Sequence, residues 1–144
     1  LSTSKENKNA NTHSRRLVNT EARILVVEDN EINQFVITEL LTHIGLQAQI
    51  AENGAVAISL LQQASLDFDL ILMDCQMPIL DGFQTTRKIR LGEAGERYIK
   101  TPIIALTANA MKGDMEDCLA AGMNGYISKP VNISELESTL LMYI

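Results

Sequence analysis

The sequence predicts an α/β fold, a doubly wound parallel sheet built from five successive β-α units. Three observations carry this. Short, nearly continuous apolar runs recur along the chain, as in strands buried on both faces. Longer segments between them repeat apolar residues at helical spacing. The two kinds alternate strictly, and parallel strands need crossover helices between them.

The first strand is read over Arg23–Glu28 (RILVVE). Asn30 is a good helix N-cap, and Ile32, Val36, Leu40 and Ile44 then fall four apart, with Gly45 as the stop. Leu46–Ala51 is the second strand. Asn53-Gly54 opens a second helix with Ala57, Leu60, Leu61 and Ala64 on one face. Asp69–Met73 is the third strand, followed by helical sequence from Gly82 to about Leu91. Pro102–Leu106 is the fourth strand; Met111, Met115, Cys118 and Leu119 mark the fourth helix, ended by Gly122. Gly125–Ser128 is a short fifth strand, and Ile133, Leu136, Leu140 and Tyr143 mark a last helix. The first, third and fourth strands are the most apolar and are expected at the centre. The segment LGEAGERYIKT, between the third helix and the fourth strand, reads as an exposed loop.

Composition narrows the function. The chain has 144 residues, 46% apolar and 21% charged, which suits one globular domain. A net charge of −6 argues against a nucleic-acid surface, which needs clustered Lys and Arg. No apolar run approaches the ~18 residues of a membrane span. Two cysteines, Cys75 and Cys118, in apolar surroundings suggest reduced core thiols, and nothing near Cys75 would lower its pKa. Only His13 and His43 are present, which disfavours a His-based metal site or a Ser-His-Asp triad; His43 is expected to face solvent. Residues 1–21 hold four cations against two acids and are rich in Ser, Thr and Asn, so they are read as a flexible linker, leaving 22–144 as the folded domain with a charge of −8. The chain starts at Leu1 inside that linker, which suggests a piece of a longer protein with an upstream neighbour.

Ligands of open α/β sheets bind beyond the carboxyl ends of the strands. Here the first strand ends in Glu28-Asp29, the third in Asp74, the fourth in Thr107-Ala108 and the fifth in Ser128-Lys129-Pro130. The first turn has no glycine and no GxxxxGK[ST] occurs, so the usual dinucleotide and nucleotide sites are not expected. Each rim residue has a plainer reading alone: acids favouring a helix N-terminus, a turn Asp, a helix-capping Thr, a solvated Lys. Their joint placement on one rim is what points to chemistry. Three crowded carboxylates raise each other's pKa, and Mg²⁺ is the oxygen-seeking cation that relieves this. A metal beside a nucleophilic carboxylate and a Lys is equipment for phosphoryl transfer. With Asp74 phosphorylated, the site would stand near −4 without Mg²⁺ and Lys129, and near about −1 with them.

The segments ILVVEDNEINQ, DLILMDCQMPILDGF, PIIALTANAM and GYISKP resemble the receiver domain of two-component response regulators, from Arg23 to Ile144. EDNxxNQ, MDCQMP and LTANAM are most similar to receivers attached to hybrid sensor histidine kinases. The resemblance implies a flavodoxin-like (βα)5 fold with strand order 2-1-3-4-5. It implies that Asp74 accepts a phosphoryl group from a phosphohistidine. Asp29, Asp74 and the backbone carbonyl of Gln76 would bind Mg²⁺ directly, and Glu28 through a water. Thr107, Lys129 and the backbone N–H of Ala108 would hold phosphoryl oxygens, and Lys129-Pro130 would be cis. Thr107 and Tyr126 would form a switch with the fourth helix, although Tyr126 is equally read as a surface aromatic. Gln76 and Asn109 would tune the phosphoryl lifetime. The partner would be a histidine kinase domain, a histidine phosphotransfer protein or both, the site cytoplasmic, on its own or as part of a membrane-bound hybrid kinase. The isolated domain would catalyse only its own phosphorylation and dephosphorylation, any transferase activity belonging to the parent chain. Two other readings stand beside this one. A degenerate receiver serving only as a docking module would have lost an acid or the Lys, and all are kept. A haloacid-dehalogenase-type phosphatase needs an acid two residues after the nucleophile, where Gln76 stands.

Overall fold

The computed structural model describes residues 21–65, 67–77, 80–108 and 112–144, with the side chain of Lys112 left out. Of the sequence expectations, the linker (save Glu21), His13, Asn109 and Met111 lie outside the described residues.

Five strands alternate with five helices: β1 Arg23–Val27, α1 Glu31–Ile44, β2 Gln47–Ala51, α2 Gly54–Gln63, β3 Leu70–Asp74, α3 Gly82–Arg90, β4 Ile103–Thr107, α4 Lys112–Ala121, β5 Gly125–Ser128 and α5 Ile133–Tyr143. The sheet is parallel throughout, in the order β2-β1-β3-β4-β5. The predicted strand order and the central trio β1, β3 and β4 are therefore as expected. The strand boundaries differ by a residue, and the shift matters at two of them. Asp74 and Thr107 are the last residues of β3 and β4, held in the ladder rather than following it.

Side chains alternate across a strand, so each strand feeds two cores. Leu25, Val27, Ile71, Met73, Ile103 and Ala105 face the layer of α2, α3 and α4. Ile24, Val26, Leu70, Leu72, Ile104 and Leu106 face α1 and α5, meeting Ile37, Leu41, Leu136 and Leu140. Capping residues set the helix starts: the Asn30, Asn53 and Asn132 side chains accept from Asn33, Val56 and Glu135 backbone N–H groups, and Asp81 with Gln84 makes a capping box. Gly45 ends α1 at φ 102°, a conformation that favours glycine.

Three sequence expectations need correction. The buried face of α1 is Ile37, Leu41 and Ile44; Ile32 is 73% exposed and Val36 41%, with Phe35 exposed beside them. The helix carries two apolar stripes; the predicted one meets the core only at its C-terminal end, where Leu40 is partly buried and Ile44 buried, and Ile37 and Leu41 supply the rest. On α4, Leu119 is 60% exposed, and Cys118 and Ala121 are the buried positions among the described residues. The segment from Leu91 to Thr101 is not merely an exposed loop. It contains a 3-10 turn over Glu96–Tyr98, buries Ala94, Tyr98 and Thr101, and is pinned by Arg90. That guanidinium donates to the carbonyls of Ile99 (2.7 Å) and Gly122 (2.9 Å) and to Asn124 Oδ1 (2.9 Å). His43 is exposed, as expected.

Candidate functional site

The register brings four strand ends to one rim. Val27 pairs with Met73, Asp74 with Leu106, and Thr107 with Ser128. The next backbone bonds continue the pattern: Cys75 N–H to the Leu106 carbonyl (3.1 Å) and Lys129 N–H to the Thr107 carbonyl (2.8 Å). Glu28, Asp74, Thr107 and Lys129 therefore share the carboxyl edge of the sheet. Lys129-Pro130 is cis, as the resemblance implied.

At the centre, Lys129 Nζ bridges two buried acids, 2.9 Å from Glu28 Oε1 and 3.2 Å from Asp74 Oδ1. The Glu28 side chain is fully buried, Asp74 is 5% exposed and Lys129 20% exposed. Asp74 Oδ1 also accepts from the Gln76 N–H at 3.2 Å. Glu28 is fixed from below: its Oε2 accepts from Asn30 N–H at 3.2 Å, and the Gln34 side chain donates to its carbonyl at 2.7 Å. Burial and the charge of Glu28 push the Asp74 carboxyl up to about 7, with the Gln76 N–H and Lys129 pulling the other way. Burial alone would lower the Lys129 ammonium, but its hydrogen bond to Glu28 and the charges of Asp74 and Glu28 hold it above the ordinary value.

The residues present fit a hard divalent cation. Glu28, Asp29 and Asp74 offer carboxylate oxygens all within 4.8 Å of one another. Asp29 is exposed, so the cluster opens to solvent on one side. Glu28 Oε1 is buried and meets the Lys129 ammonium at 2.9 Å. One ammonium thus faces three carboxyl groups, so negative charge is under-compensated there. The other predicted residues fall around it. Thr107 is buried at the end of β4, while Ala108 and Gln76 are exposed just beyond their strands, and Tyr126 lies on the edge strand β5, 37% exposed.

Sequence reasoning missed three features near the site. Gln34 is one, part of EDNxxNQ but given no role; the spacing Glu28 to Gln34, one strand end to the first turns of the next helix, is the signal that could have assigned it. The exposed patch of Ile32, Phe35 and Val36 is the second. It borders a recess of about 90 Å³ lined by Asn33, Val36, Ile37, Lys129, Pro130 and Val131. The third is the meeting of the two cysteines, Sγ to Sγ 3.9 Å, which 43 residues of separation conceal. Burial raises both thiols, so Cys75 does not compete with Asp74 as a nucleophile.

Comparison with known proteins places this geometry. A family model described as the response regulator receiver domain matches residues 24–141. Hybrid signal transduction histidine kinase E of Dictyostelium discoideum is 40% identical over 119 residues, which are 83% of this chain and 7% of that protein. The chain thus spans a small part of the curated relatives it matches. The crystal structure of the receiver domain of the sensor histidine kinase PA1611 from Pseudomonas aeruginosa PAO1, with magnesium coordinated in its active-site cleft, superposes with a TM-score of 0.76 at 44% identity. It covers 85% of this chain and 97% of the other. The receiver domain of Ssk1 from Saccharomyces cerevisiae, solved with the histidine phosphotransfer protein Ypd1, gives 0.75 at 30% identity, over 85% of this chain and 88% of that one.

Proposed function

This chain belongs to the response regulator receiver domain family, and on that premise we propose that Asp74 is its phosphoacceptor, charged by a phosphohistidine on a partner protein. The observation that carries this is the coincidence of a buried carboxylate at the end of β3 with Lys129 at 3.2 Å and two further acids within ligand distance.

An Asp74 carboxylate oxygen attacks phosphorus as the phosphorus–nitrogen bond to the donor imidazole breaks, and the imidazole leaves with the bonding pair. Lys129 swings from Glu28 and Asp74 onto a phosphoryl oxygen; the Thr107 hydroxyl and the Ala108 N–H donate hydrogen bonds to the others. When bound, Mg²⁺ supplies neutralisation of the incoming negative charge, held by Asp29, Asp74 and the Gln76 carbonyl, with Glu28 acting through water. The PA1611 receiver, solved with magnesium in its active-site cleft, supports a magnesium site here, and the acidic cluster of Glu28, Asp29 and Asp74 supports these residues as its holders. Thr107 and the outward Tyr126 are the switch: drawing Thr107 to the phosphoryl group opens room behind it that the Tyr126 ring fills.

The partner is a histidine phosphotransfer domain, as the Ssk1 complex with Ypd1 suggests. The exposed Ile32, Phe35 and Val36, beside the recess at Lys129 and Pro130, are the apolar ground on which a helix bearing the donor His would sit. The reading carries with it a cytoplasmic site within a hybrid histidine kinase. No helix of the described residues is long and apolar enough to cross a membrane. A receiver that has become a docking module is disfavoured by the intact acids and Lys129.

Phosphotransfer from a phosphorylated histidine phosphotransfer protein tests the reading. Phe35→Ala is expected to slow transfer at least tenfold while leaving labelling by acetyl phosphate intact. Equal loss with both donors would overturn the docking assignment, and labelling at a residue other than Asp74 would overturn the whole.

A further inference from the structure

The two cysteines take no part in the phosphoryl chemistry, yet the fold brings them together. Cys75 directly follows Asp74 at the end of β3; Cys118 lies on the inner side of α4. Their sulfurs are 3.9 Å apart, both side chains are buried, and both thiols are free. A disulfide needs about 2.05 Å between sulfurs, so closure asks for less than 2 Å of combined movement. Cys118 and Ala121 are the buried positions of α4 among the described residues, so the thiol sits on the face that the helix turns to the sheet.

We propose that Cys75 and Cys118 form an oxidisable dithiol, a modification site whose disulfide fastens α4 to the end of β3. The oxidant is a peroxide, small enough to reach sulfurs that larger reagents cannot. One sulfur, giving up its proton, attacks a peroxide oxygen; the oxygen–oxygen bond breaks, a sulfenic acid forms and the first water leaves. The second sulfur attacks the sulfenic sulfur, the sulfur–oxygen bond breaks and its hydroxyl leaves with the second thiol's proton as water. The thiols lose two electrons, the peroxide gains two, and one disulfide and two waters result. Burial keeps the reaction slow, so the bond accumulates on sustained exposure.

The bond would close a loop running from the end of β3 through α3 and β4 into α4, with Thr107 inside it. Fixing α4 against β3 opposes the rearrangement that follows Asp74 phosphorylation. This consequence rests on the phosphoacceptor reading; the modification itself does not, and the two are read separately.

The protein is incubated with hydrogen peroxide, unfolded in the presence of an alkylating agent, and analysed by intact mass and peptide mapping. The expected result is loss of both free thiols, a mass lower by two hydrogens, and a Cys75–Cys118 linked peptide that thiol reductant abolishes. Sulfinic or sulfonic acids, intermolecular dimers, or two thiols still free after prolonged exposure would each overturn the proposal. The oxidised protein is then labelled with acetyl phosphate. Slower labelling, restored by reductant and absent in Cys118→Ala, supports the regulatory consequence; unchanged labelling of a fully cross-linked protein removes that consequence and leaves the Asp74 assignment standing.

Discussion

At the scale of single residues, the site is an electrostatic problem held in suspense. Asp74 is pushed up to about 7 by burial and by Glu28, so near neutrality it holds a proton that the unfolded chain would release. The sign follows. The folded form binds the extra proton between the ordinary carboxylate range and about pH 7, so this group stabilises the metal-free protein most at low pH and loses that contribution as pH rises through 7. Thermal unfolding in chelator is therefore expected to show Asp74→Asn gaining on the parent from pH 5 to pH 8; a constant difference would contradict the raised pKa. Divalent cation binding requires the ionised carboxylate, so Mg²⁺ affinity measured by calorimetry is expected to rise over the same interval. Lys129→Met removes the one cation seen between Glu28 and Asp74. It is expected to cut acetyl phosphate labelling at least tenfold while lowering the melting temperature, because two buried acids then face each other unpaired.

Among elements, what positions Asp74 is close packing as much as hydrogen bonding. The N–H of Gly82 donates to the Cys75 carbonyl at 3.2 Å, closing the loop after β3. A Cβ on Gly82 would collide with the Asp74 carbonyl oxygen and crowd the Cys75 Cα at 3.0 Å. Gly82→Ala is thus expected to cost about 1–3 kcal/mol in urea unfolding and to slow labelling as well. Arg90 gives a contrasting case. Its bonds to Ile99, Gly122 and Asn124 brace the far side of the molecule, so Arg90→Ala should cost about 2 kcal/mol and leave labelling unchanged. The elements also mark where sequence reading succeeds and fails. Strands buried on both faces announce themselves, since β1, β3 and β4 have no polar side to confuse them. Helix α1 does not, because Ile32-Val36 and Ile37-Leu41-Ile44 are both regular stripes, and only docking on the sheet decides which is covered. The turn at Tyr98 was illegible because its ring enters the core beside residues distant in sequence, and Arg90 holds its backbone by carbonyl bonds that no local pattern encodes.

The whole molecule turns a local pattern into a site by register. The acids, Thr107 and Lys129 were readable as candidates because strand ends can be counted; that they share an edge follows from a parallel sheet of order β2-β1-β3-β4-β5. What counting could not supply was depth: Glu28 fully buried, Asp29 exposed, and Lys129 lodged between Glu28 and Asp74. The two-sided core sets the stability of this platform. Leu72, fully buried in the middle strand, is expected to cost about 2–5 kcal/mol on truncation to Ala, measured by denaturant unfolding.

Labelling by acetyl phosphate with and without Mg²⁺, followed by intact mass, in the parent and in Asp74→Asn, tests the phosphoacceptor assignment most directly. One phosphoryl group is expected on the parent only when Mg²⁺ is present, and none on Asp74→Asn, which still folds. Labelling of Asp74→Asn to the parent's extent, or labelling of the parent in chelator, would contradict that assignment.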